Sequence, residues 1–474
     1  MFPLAQELVE LQTIIVISFF VSASYSGRPR RVNTQPVETR TFPRQTLKLI
    51  VINNIGVLAS PDMNTESSRP LSVLRARAIA LAVPALLSLS ACKSDKVTPP
   101  DAGTDNPGDT VAATRAALLE SSGACVLQTA REFQTAATAL ESAVAAHAAT
   151  PDATTRDTAR EAYHQAMDVW QMAEVMQFGP AAPRSLPGGA EIRDNIYSWP
   201  LVSRCAIEEQ LVNRSYESES FDSSLVSRRG LYALEYLLFF EGNDTACPGT
   251  SVIVSQGTWA ALSADERAAR KRAYAAVVAA DVHRRADALV NAWAPDQENF
   301  GRTLTTAGSG NAVYPSTQAA LNSVSDAIFY FEREVKDLKV ARPLALRDCA
   351  TSTCPEHLES QFAARSKANI RANLVGYRRI TEGCGENFSG TGFDDLLEAS
   401  GADALAAKLR ERNAAAAAGI DAVPGEDLAT VLAQDKAAMR TMYDVIKSVT
   451  DVLKTELVTV LDLELPQSVE GDND

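Results

Sequence analysis

The chain has 474 residues, 46% of them apolar and 22% charged, which is typical of a globular protein and excludes a disordered chain. Its formal net charge is −14 at pH 7. Because a surface that acidic repels phosphate backbones, no nucleic-acid partner is expected, although solubility alone also explains the acidity.

Residues 63–92 have the features of a secretory signal, beginning at a methionine and ending at Cys92. Three arginines precede an apolar run at 78–87, and LSAC at 89–92 supplies a small-residue processing site. The end of this segment resembles the lipobox of bacterial lipoproteins, in which the cysteine is lipidated. A transmembrane anchor is the alternative, but the apolar run is shorter than the roughly 20 residues that span a bilayer.

The segments around this signal are interpreted from its position. Residues 1–62 precede it and are interpreted as an upstream extension, with translation beginning at Met63. Residues 93–111, rich in Pro, Gly and Asp, are predicted to be a flexible linker, and residues 466–474 an acidic tail. The protein is therefore expected in the cell envelope, bound to a membrane by its lipid. It would face the periplasm or the cell surface, and the outer membrane is favoured because Lys93, and not Asp, follows Cys92.

Seven cysteines are present, and lipidation of Cys92 leaves six. An exported compartment permits disulfides, and sequence alone leaves the pairing open. Cys349 and Cys354, separated by four residues, are favoured for a local bridge. The six disulfide candidates are Cys125, Cys205, Cys247, Cys349, Cys354 and Cys384.

Beyond the linker the sequence pattern is helical almost without interruption. The Ala-rich residues 112–149 predict one long helix. Thr150 and Pro151 are predicted to begin the next helix as N-cap and first helical residue. Ser263, followed three residues later by a glutamate, predicts another helix start. Strand signals are almost absent, since SVIV at 251–254 is too short.

The helices fall into two sets separated near residues 245–260. This organisation predicts an all-α protein of two packed helical bundles, at 112–250 and 251–465. Common catalytic motifs, such as HExxH, GxSxG and a phosphate-binding loop, are absent from the sequence. His164 and Asp168 share a helix face, but a single such pair does not indicate a metal site.

Glu235 is the only charged residue between Leu231 and Phe240. A helix that is hydrophobic all round is normally buried. A buried carboxylate is costly unless it is paired, protonated or bound to a ligand. Glu235 is therefore a candidate site residue: it either binds a ligand or cation, or is a structural acid that hydrogen-bonds Tyr232 or pairs with an arginine, such as Arg229 or one from the other bundle.

Five segments of the sequence, taken in order, resemble segments of the imelysin family, also described as insulin-cleaving metalloproteinase-like or iron-regulated protein A-like proteins. The resemblance runs from about residue 112 to 464. It implies two helical-bundle domains related by pseudo-duplication, an exported location, and a site in the cleft between the domains. The segments are WQMAEVMQFGP (170–180), IYSWPL (196–201), RRGLYALEYLLF (228–239), EREVKDLKVARPL (332–344) and ESQFAARSKANIRANLVGY (359–377).

The chain departs from the family at its GxHxxE motif. Aligning Gly230 with the motif glycine places Tyr232 where the family has histidine, while Glu235 is retained. Residues three apart lie on one face of a helix, so both side chains point the same way. A phenol binds a cation well only after losing a proton whose ordinary pKa is about 10. Without the histidine, Glu235 is therefore expected to bind iron or another divalent cation more weakly. Glu174 is expected to lie in the same cleft as Glu235.

Together these features predict a non-catalytic envelope lipoprotein that binds a small ligand or metal and is linked to iron uptake. Its expected partners are the membrane, through the lipid, and a small ligand or iron-uptake component. A metallopeptidase is the first alternative, and it requires at least two more metal ligands near Glu235. An envelope scaffold is the second alternative, and it predicts a filled cleft and exposed apolar patches.

Overall fold

The computed structural model describes residues 107–466 and 469. The regular secondary structure of these residues is helical, and they form no β-strand. The all-α prediction is therefore confirmed for this part of the chain. The helices of the first half are α1 (Pro107–Ala149), α2 (Ala153–Ala173), α3 (Ile192–Ile196), α4 (Arg204–Asn213), α5 (Gly230–Phe239), α6 (Val252–Ser255), α7 (Thr258–Ala261) and α8 (Ala264–Trp293).

The second half contains shorter α-helices and two π-helical segments, Phe331–Ala341 and Val452–Leu457. No helix of the described residues is long and apolar enough to cross a membrane. The α-helices are α9 (Phe300–Thr305), α10 (Thr317–Ile328), α11 (Ser366–Thr381), α12 (Phe393–Ala399), α13 (Asp403–Ala422), α14 (Leu428–Gln434), α15 (Lys436–Asp451) and α16 (Val458–Leu461).

Two helix starts differ from the predicted ones. Helix α1 begins at Pro107, so the last five residues of the predicted linker 93–111 are helical. Helix α2 is capped by Asp152, so the prediction of Thr150 as N-cap is wrong. The Asp152 carboxylate accepts a hydrogen bond from the Thr155 backbone N–H at 2.8 Å, and the Thr155 hydroxyl accepts one from the Asp152 N–H at 3.1 Å. This reciprocal capping box satisfies two N–H groups that a Thr150 cap would leave open.

The helices pack in two groups. Helix α8 lies against α1 and α5, and α2 lies against α1, so these four form the first group. Helices α11, α12, α13 and α15 and the π-helix 331–341 form the second, and α2 joins the groups by packing on α11. The sequence pattern assigns residues 264–293 to the second bundle, whereas α8 packs with the first. The two domains, their boundary near residue 250 and the pseudo-duplication stay predictions.

The contact between α2 and α11 depends on Gly376. A Cβ atom at this position would lie 2.2 Å from the backbone oxygen of Met172. Only glycine therefore permits this separation of the two helices. The close approach places Asn373 beside Gln171, whose backbone and side-chain oxygens accept hydrogen bonds from the Asn373 amide at 2.8 and 2.9 Å. This positions the polar interior described below.

Three disulfides join the six candidate cysteines. The predicted local bridge Cys349–Cys354 is confirmed. Cys205–Cys247 joins α4 to the segment after α5, and Cys125–Cys384 joins α1 to the segment after α11. The upstream extension (1–62), the signal segment (63–92), its lipidation site Cys92 and linker residues 93–106 lie outside the described residues.

Candidate functional site

The motif glycine, Gly230, begins helix α5 in a conformation that only glycine adopts easily. Its φ is +74°, and a Cβ atom there would lie 2.4 Å from the backbone oxygen of Ile196. Glycine is therefore required for α5 to start against the last residue of α3. This accounts for the glycine structurally and fixes the direction in which Tyr232 and Glu235 point.

Glu235 lies in the middle of α5 and is completely buried. Its Oε1 accepts hydrogen bonds from the backbone N–H groups of Phe362 and Ala363, at 2.9 and 3.0 Å. Its Oε2 has no hydrogen-bond partner within the described part of the chain. Two of the structural partners predicted from sequence do not bind Glu235: Arg229 pairs with Asp281 at 3.3 Å, and no hydrogen bond joins Glu235 to Tyr232 among the described residues.

Burial, together with the nearby Glu359 carboxylate, raises the pKa of Glu235 from 4.5 to about 7. The two backbone N–H groups and Arg365 oppose this rise. Removing a carboxylate from water penalises its charged form, and two N–H donors compensate only one of its oxygens. Glu235 is therefore a carboxyl group that changes protonation near neutral pH.

Tyr232 lies three residues before Glu235 and is half-buried beside Phe362, with the two ring centroids 6.5 Å apart. Burial raises the pKa of its hydroxyl, and Glu235 adds to the rise. Tyr232 is thus a neutral phenol at physiological pH. It lines a cavity of about 270 Å³, which Glu235 does not reach. Other residues lining this cavity include Trp199, Arg342, Glu356, His357 and Phe362.

Glu174, the second acid expected at the site, is held by an extensive set of partners. Its Oε1 accepts a hydrogen bond from the Arg193 guanidinium at 2.8 Å, and its Oε2 accepts one from the Tyr330 hydroxyl at 2.7 Å. The Lys339 ammonium lies 3.6 Å from the same carboxylate. Both oxygens are occupied, so Glu174 is part of a charge-compensated interior.

Lys339 is the centre of this polar interior, and the sequence reading missed it. Its ammonium donates to the side-chain oxygens of Gln171 and Asn373 at 2.7 and 2.8 Å and lies 3.0 Å from Glu359 Oε2. Glu359 Oε1 accepts hydrogen bonds from Tyr197 and Gln171. Lys339 and Glu359 lie in the fourth and fifth segments that resemble the family, and this position is the sequence signal that points to them.

The motif residues do not fit a metal ion by themselves. Glu235 offers one oxygen without a partner, and Tyr232 stays protonated. In the described ranges, neither group of three metal-ligand side chains includes Glu235 or Tyr232, and each contains disulfide sulfur, which is not a thiolate ligand. Metal ligation by Glu235 stays a prediction that this geometry does not favour. The two groups are Cys205, Glu209 and Cys247, and Cys354, Glu356 and His357.

The sequence and the fold of this chain are similar to those of known proteins. The family model described as imelysin matches residues 126–455. Iron-regulated protein A of Synechococcus elongatus is 25% identical over 329 residues, which cover 69% of this chain and 80% of that protein.

Two solved structures share the fold at 17% sequence identity. An imelysin-like protein from Psychrobacter arcticum 273-4 aligns with a TM-score of 0.56 over 75% of this chain and 98% of its own. A protein from Parabacteroides distasonis ATCC 8503 that is described as an iron-regulated protein A precursor aligns with a TM-score of 0.58. The alignment covers 77% of this chain and 98% of that protein. The family model covers well over half of the sequence, and the chain therefore belongs to the imelysin family, as the five sequence segments predicted.

Proposed function

We propose that this imelysin is an exported, lipid-anchored protein of the bacterial cell envelope that binds a small ligand connected with iron uptake and does not cleave peptides. The connection with iron is supported by the relative named iron-regulated protein A. The exported location is supported by the signal-like segment, by the three disulfides and by the similar protein assigned as a precursor.

The proposed ligand site is the cavity beside Tyr232. Its volume of about 270 Å³ is slightly below the roughly 300 Å³ at which the usual range of small-molecule sites begins. The aromatic rings of Trp199, Tyr232 and Phe362 offer apolar contact, and Arg342 and His357 offer polar groups. This combination of apolar walls with a few polar groups is characteristic of binding sites.

One observation carries the proposal: Phe362 belongs both to the cavity and to the site of Glu235. Its side chain lines the cavity, and its backbone N–H donates to the Glu235 carboxylate. A ligand in the cavity would rest on the segment that Glu235 holds in place. The retained motif glutamate therefore supports the wall of the binding site and does not itself contact the ligand.

A metallopeptidase needs a cation held by several protein ligands, with a position left open for water or substrate. Within the described residues, the buried carboxylate of Glu235 has one oxygen without a hydrogen-bond partner, and Glu235 does not line the cavity that contains Glu356 and His357. Both oxygens of Glu174 are already bound to protein donors. The peptidase alternative therefore has less support than ligand binding.

The test combines mass spectrometry with metal titration. Native mass spectrometry of the protein purified from its own cell envelope should detect a copurifying small molecule that Tyr232→Ala loses. Calorimetric titration with ferrous iron and with zinc should show no tight binding to the parent protein. Tyr232→Phe, which keeps the ring, serves as the control that separates loss of the cavity wall from loss of the hydroxyl.

Three outcomes would change the proposal. Tight iron binding that Glu235→Gln abolishes would place a cation at the motif. Iron binding by Tyr232→His but not by the parent would mean that the chain has lost a metal site of its family. Chelator-sensitive cleavage of a peptide substrate would establish the metallopeptidase alternative.

A further inference from the structure

A second cavity, of about 480 Å³, lies where four helices of the first group begin or end. It is formed by the last turn of α1, the first turns of α2 and α8, and the residues that follow α5. It shares no lining residue with the cavity beside Tyr232. Its chemistry is therefore independent of the site described above.

This cavity is cationic although the chain carries a net charge of −14. Five lysine or arginine side chains and three carboxylates line it. One carboxylate, Glu241, already pairs with Arg160 at 2.7 Å. Another, Asp152, accepts the backbone hydrogen bond that caps α2. With Asp265, the three carboxylates offset three of the five positive charges, so the lining of the cavity carries a formal excess of two positive charges.

Lys271 is the most buried of these cations, with 9% of its surface exposed. Its ammonium donates to the Phe240 backbone oxygen at 2.7 Å and lies 4.8 Å from the ring centroids of Tyr236 and Phe240. Within the described residues it forms no ion pair with a carboxylate. Burial, together with Arg204 and Arg267, lowers its pKa to about 8, although the Glu208 and Asp244 carboxylates oppose this fall. A bound anion would relieve this unfavourable environment of the ammonium.

Two arginines on the same helix extend the positive surface. Arg267 donates to the Leu262 backbone oxygen at 2.6 Å and to the Asn243 side chain at 3.0 Å, while its buried Nε has no partner in the described part of the chain. Arg272, one residue after Lys271, has no ion-pair partner among the described residues. Guanidinium groups match carboxylate and phosphate oxygens in geometry as well as charge.

We propose that this cavity binds a small organic molecule that carries at least two negative charges on carboxylate or phosphate groups. Two or more charges are required because Lys271, Arg267 and Arg272 are all without a carboxylate partner among the described residues. The carbon skeleton would lie against Leu237, Leu238 and Phe240, which form the apolar part of the wall. The volume falls within the range of small-molecule sites. This inference goes beyond the proposed function and does not depend on it.

The test uses citrate and phenyl phosphate as probes, titrated calorimetrically into the purified protein. The double variant Arg156→Gln/Arg272→Gln removes two cations from the cavity wall, and the Arg156 side chain is 41% exposed, so folding should survive. Arg131→Gln/Arg440→Gln makes the same change in net charge on exposed residues elsewhere. Each lost charge-assisted contact is worth about 1.5–3 kcal/mol, so the cavity variant should bind at least about tenfold more weakly than the control.

Histidine NMR signals locate the bound probe, since the chain has four histidines. His147 lines this cavity, and His357 lines the one beside Tyr232. We expect the NMR signal of His147 to shift when citrate or phenyl phosphate is added. A response to citrate alone would identify carboxylates as the ligand class, and a response to phenyl phosphate alone would identify phosphates.

Other results would overturn the proposal. They are the absence of binding by both probes, equal binding by the cavity and control variants, or a shift of His357 without His147. The last result would place the anion beside Tyr232, and so would support the proposed function while excluding this second site.

Discussion

Lys339 and Glu359 form an ion pair that is almost completely removed from solvent, with Nζ 3.0 Å from Oε2 and side chains that are 1% and 0% exposed. The lysine belongs to the π-helix 331–341, and the glutamate lies in the loop before α11. Since Glu359 also accepts a hydrogen bond from Gln171 on α2, the pair ties together three parts of the chain. The loop so fixed is the one that supplies the backbone donors of Glu235.

The first prediction is that Lys339→Met lowers the free energy of unfolding by about 3–5 kcal/mol, because it leaves Glu359 buried without its cation. Urea unfolding followed by circular dichroism measures the change. Lys408→Met is the matched control: Lys408 pairs with Glu456 on the surface, where both side chains are about 40% exposed. Its loss should cost less than about 1 kcal/mol. Equal losses in both variants would contradict a stabilising role for the buried pair.

The second prediction concerns the pH dependence of stability at Glu235. Its pKa is about 7 in the folded protein and near 4.5 in the unfolded chain. Between these values the folded protein holds a proton that the unfolded chain releases. Protonated Glu235 therefore contributes stability that is fully present below its pKa in the unfolded chain, near 4.5. This contribution is lost as the pH rises through about 7, its pKa in the folded protein. A shift of this size corresponds to about 3 kcal/mol.

Glu235→Gln isolates this contribution, because its side-chain oxygen can still accept from Phe362 and Ala363 while the titrating group is removed. From about pH 5 to pH 8, the parent should lose about 2.5 kcal/mol of unfolding free energy relative to the variant. Chemical denaturation at both pH values measures it. Glu411→Gln, at an exposed position, is the control and should show no comparable difference. A constant gap between the parent and Glu235→Gln would mean that Glu235 does not titrate in this range.

The helical class followed from the sequence, because Ala-rich segments with apolar residues at helical spacing favour no other structure. Which helices pack against one another was harder to predict from the sequence. The buried positions Val278, Val282 and Leu289 of α8 recur at helical spacing. Such a stripe shows that a helix has a buried face, but it does not specify which neighbour covers that face. The placement of α8 beside α1 and α5 therefore required the structure.

The site was only partly predictable for a similar reason. Glu235 was conspicuous as a lone carboxylate in an apolar helix. Its partners, however, are backbone N–H groups more than 120 residues away, and backbone donors leave no signature in residue type. Lys339 was inconspicuous because it belongs to a segment with several charges, EREVKDLK, of which Glu332 and Lys336 are also fully buried. Only tertiary packing distinguishes such residues from those of a solvated helix face.

The third prediction separates the two reasons for glycine at position 230. A left-handed conformation costs an L-residue about 1–2 kcal/mol, and overlap with a neighbouring atom costs about 1–3 kcal/mol more. Gly230→Ala meets both penalties, since φ is +74° and the Ile196 oxygen is 2.4 Å from the new Cβ. Thermal and urea unfolding should therefore show a loss of about 2–5 kcal/mol.

Two other glycines serve as controls for that measurement. Gly257 has a φ of +72° with nothing within 4 Å of its Cβ position, so Gly257→Ala meets the conformational penalty alone. Gly249 has open space and no positive φ, so Gly249→Ala should change stability little. The expected order of destabilisation is Gly230, then Gly257, then Gly249. If Gly230→Ala were no worse than Gly257→Ala, the close approach to Ile196 would not constrain the motif.

The fourth prediction is that the disulfides contribute unequally to stability, according to the length of chain that each closes. Cys125–Cys384 spans 259 residues, and Cys349–Cys354 spans five. Because a crosslink restricts the unfolded chain more when its loop is longer, replacing the first pair by alanine should cost roughly 5 kcal/mol, and replacing the second roughly 2 kcal/mol. Urea unfolding of the two double variants, with the other bridges kept oxidised, measures both losses. Equal losses would indicate that strain or residual structure in the unfolded chain, and not loop length, controls the stabilisation.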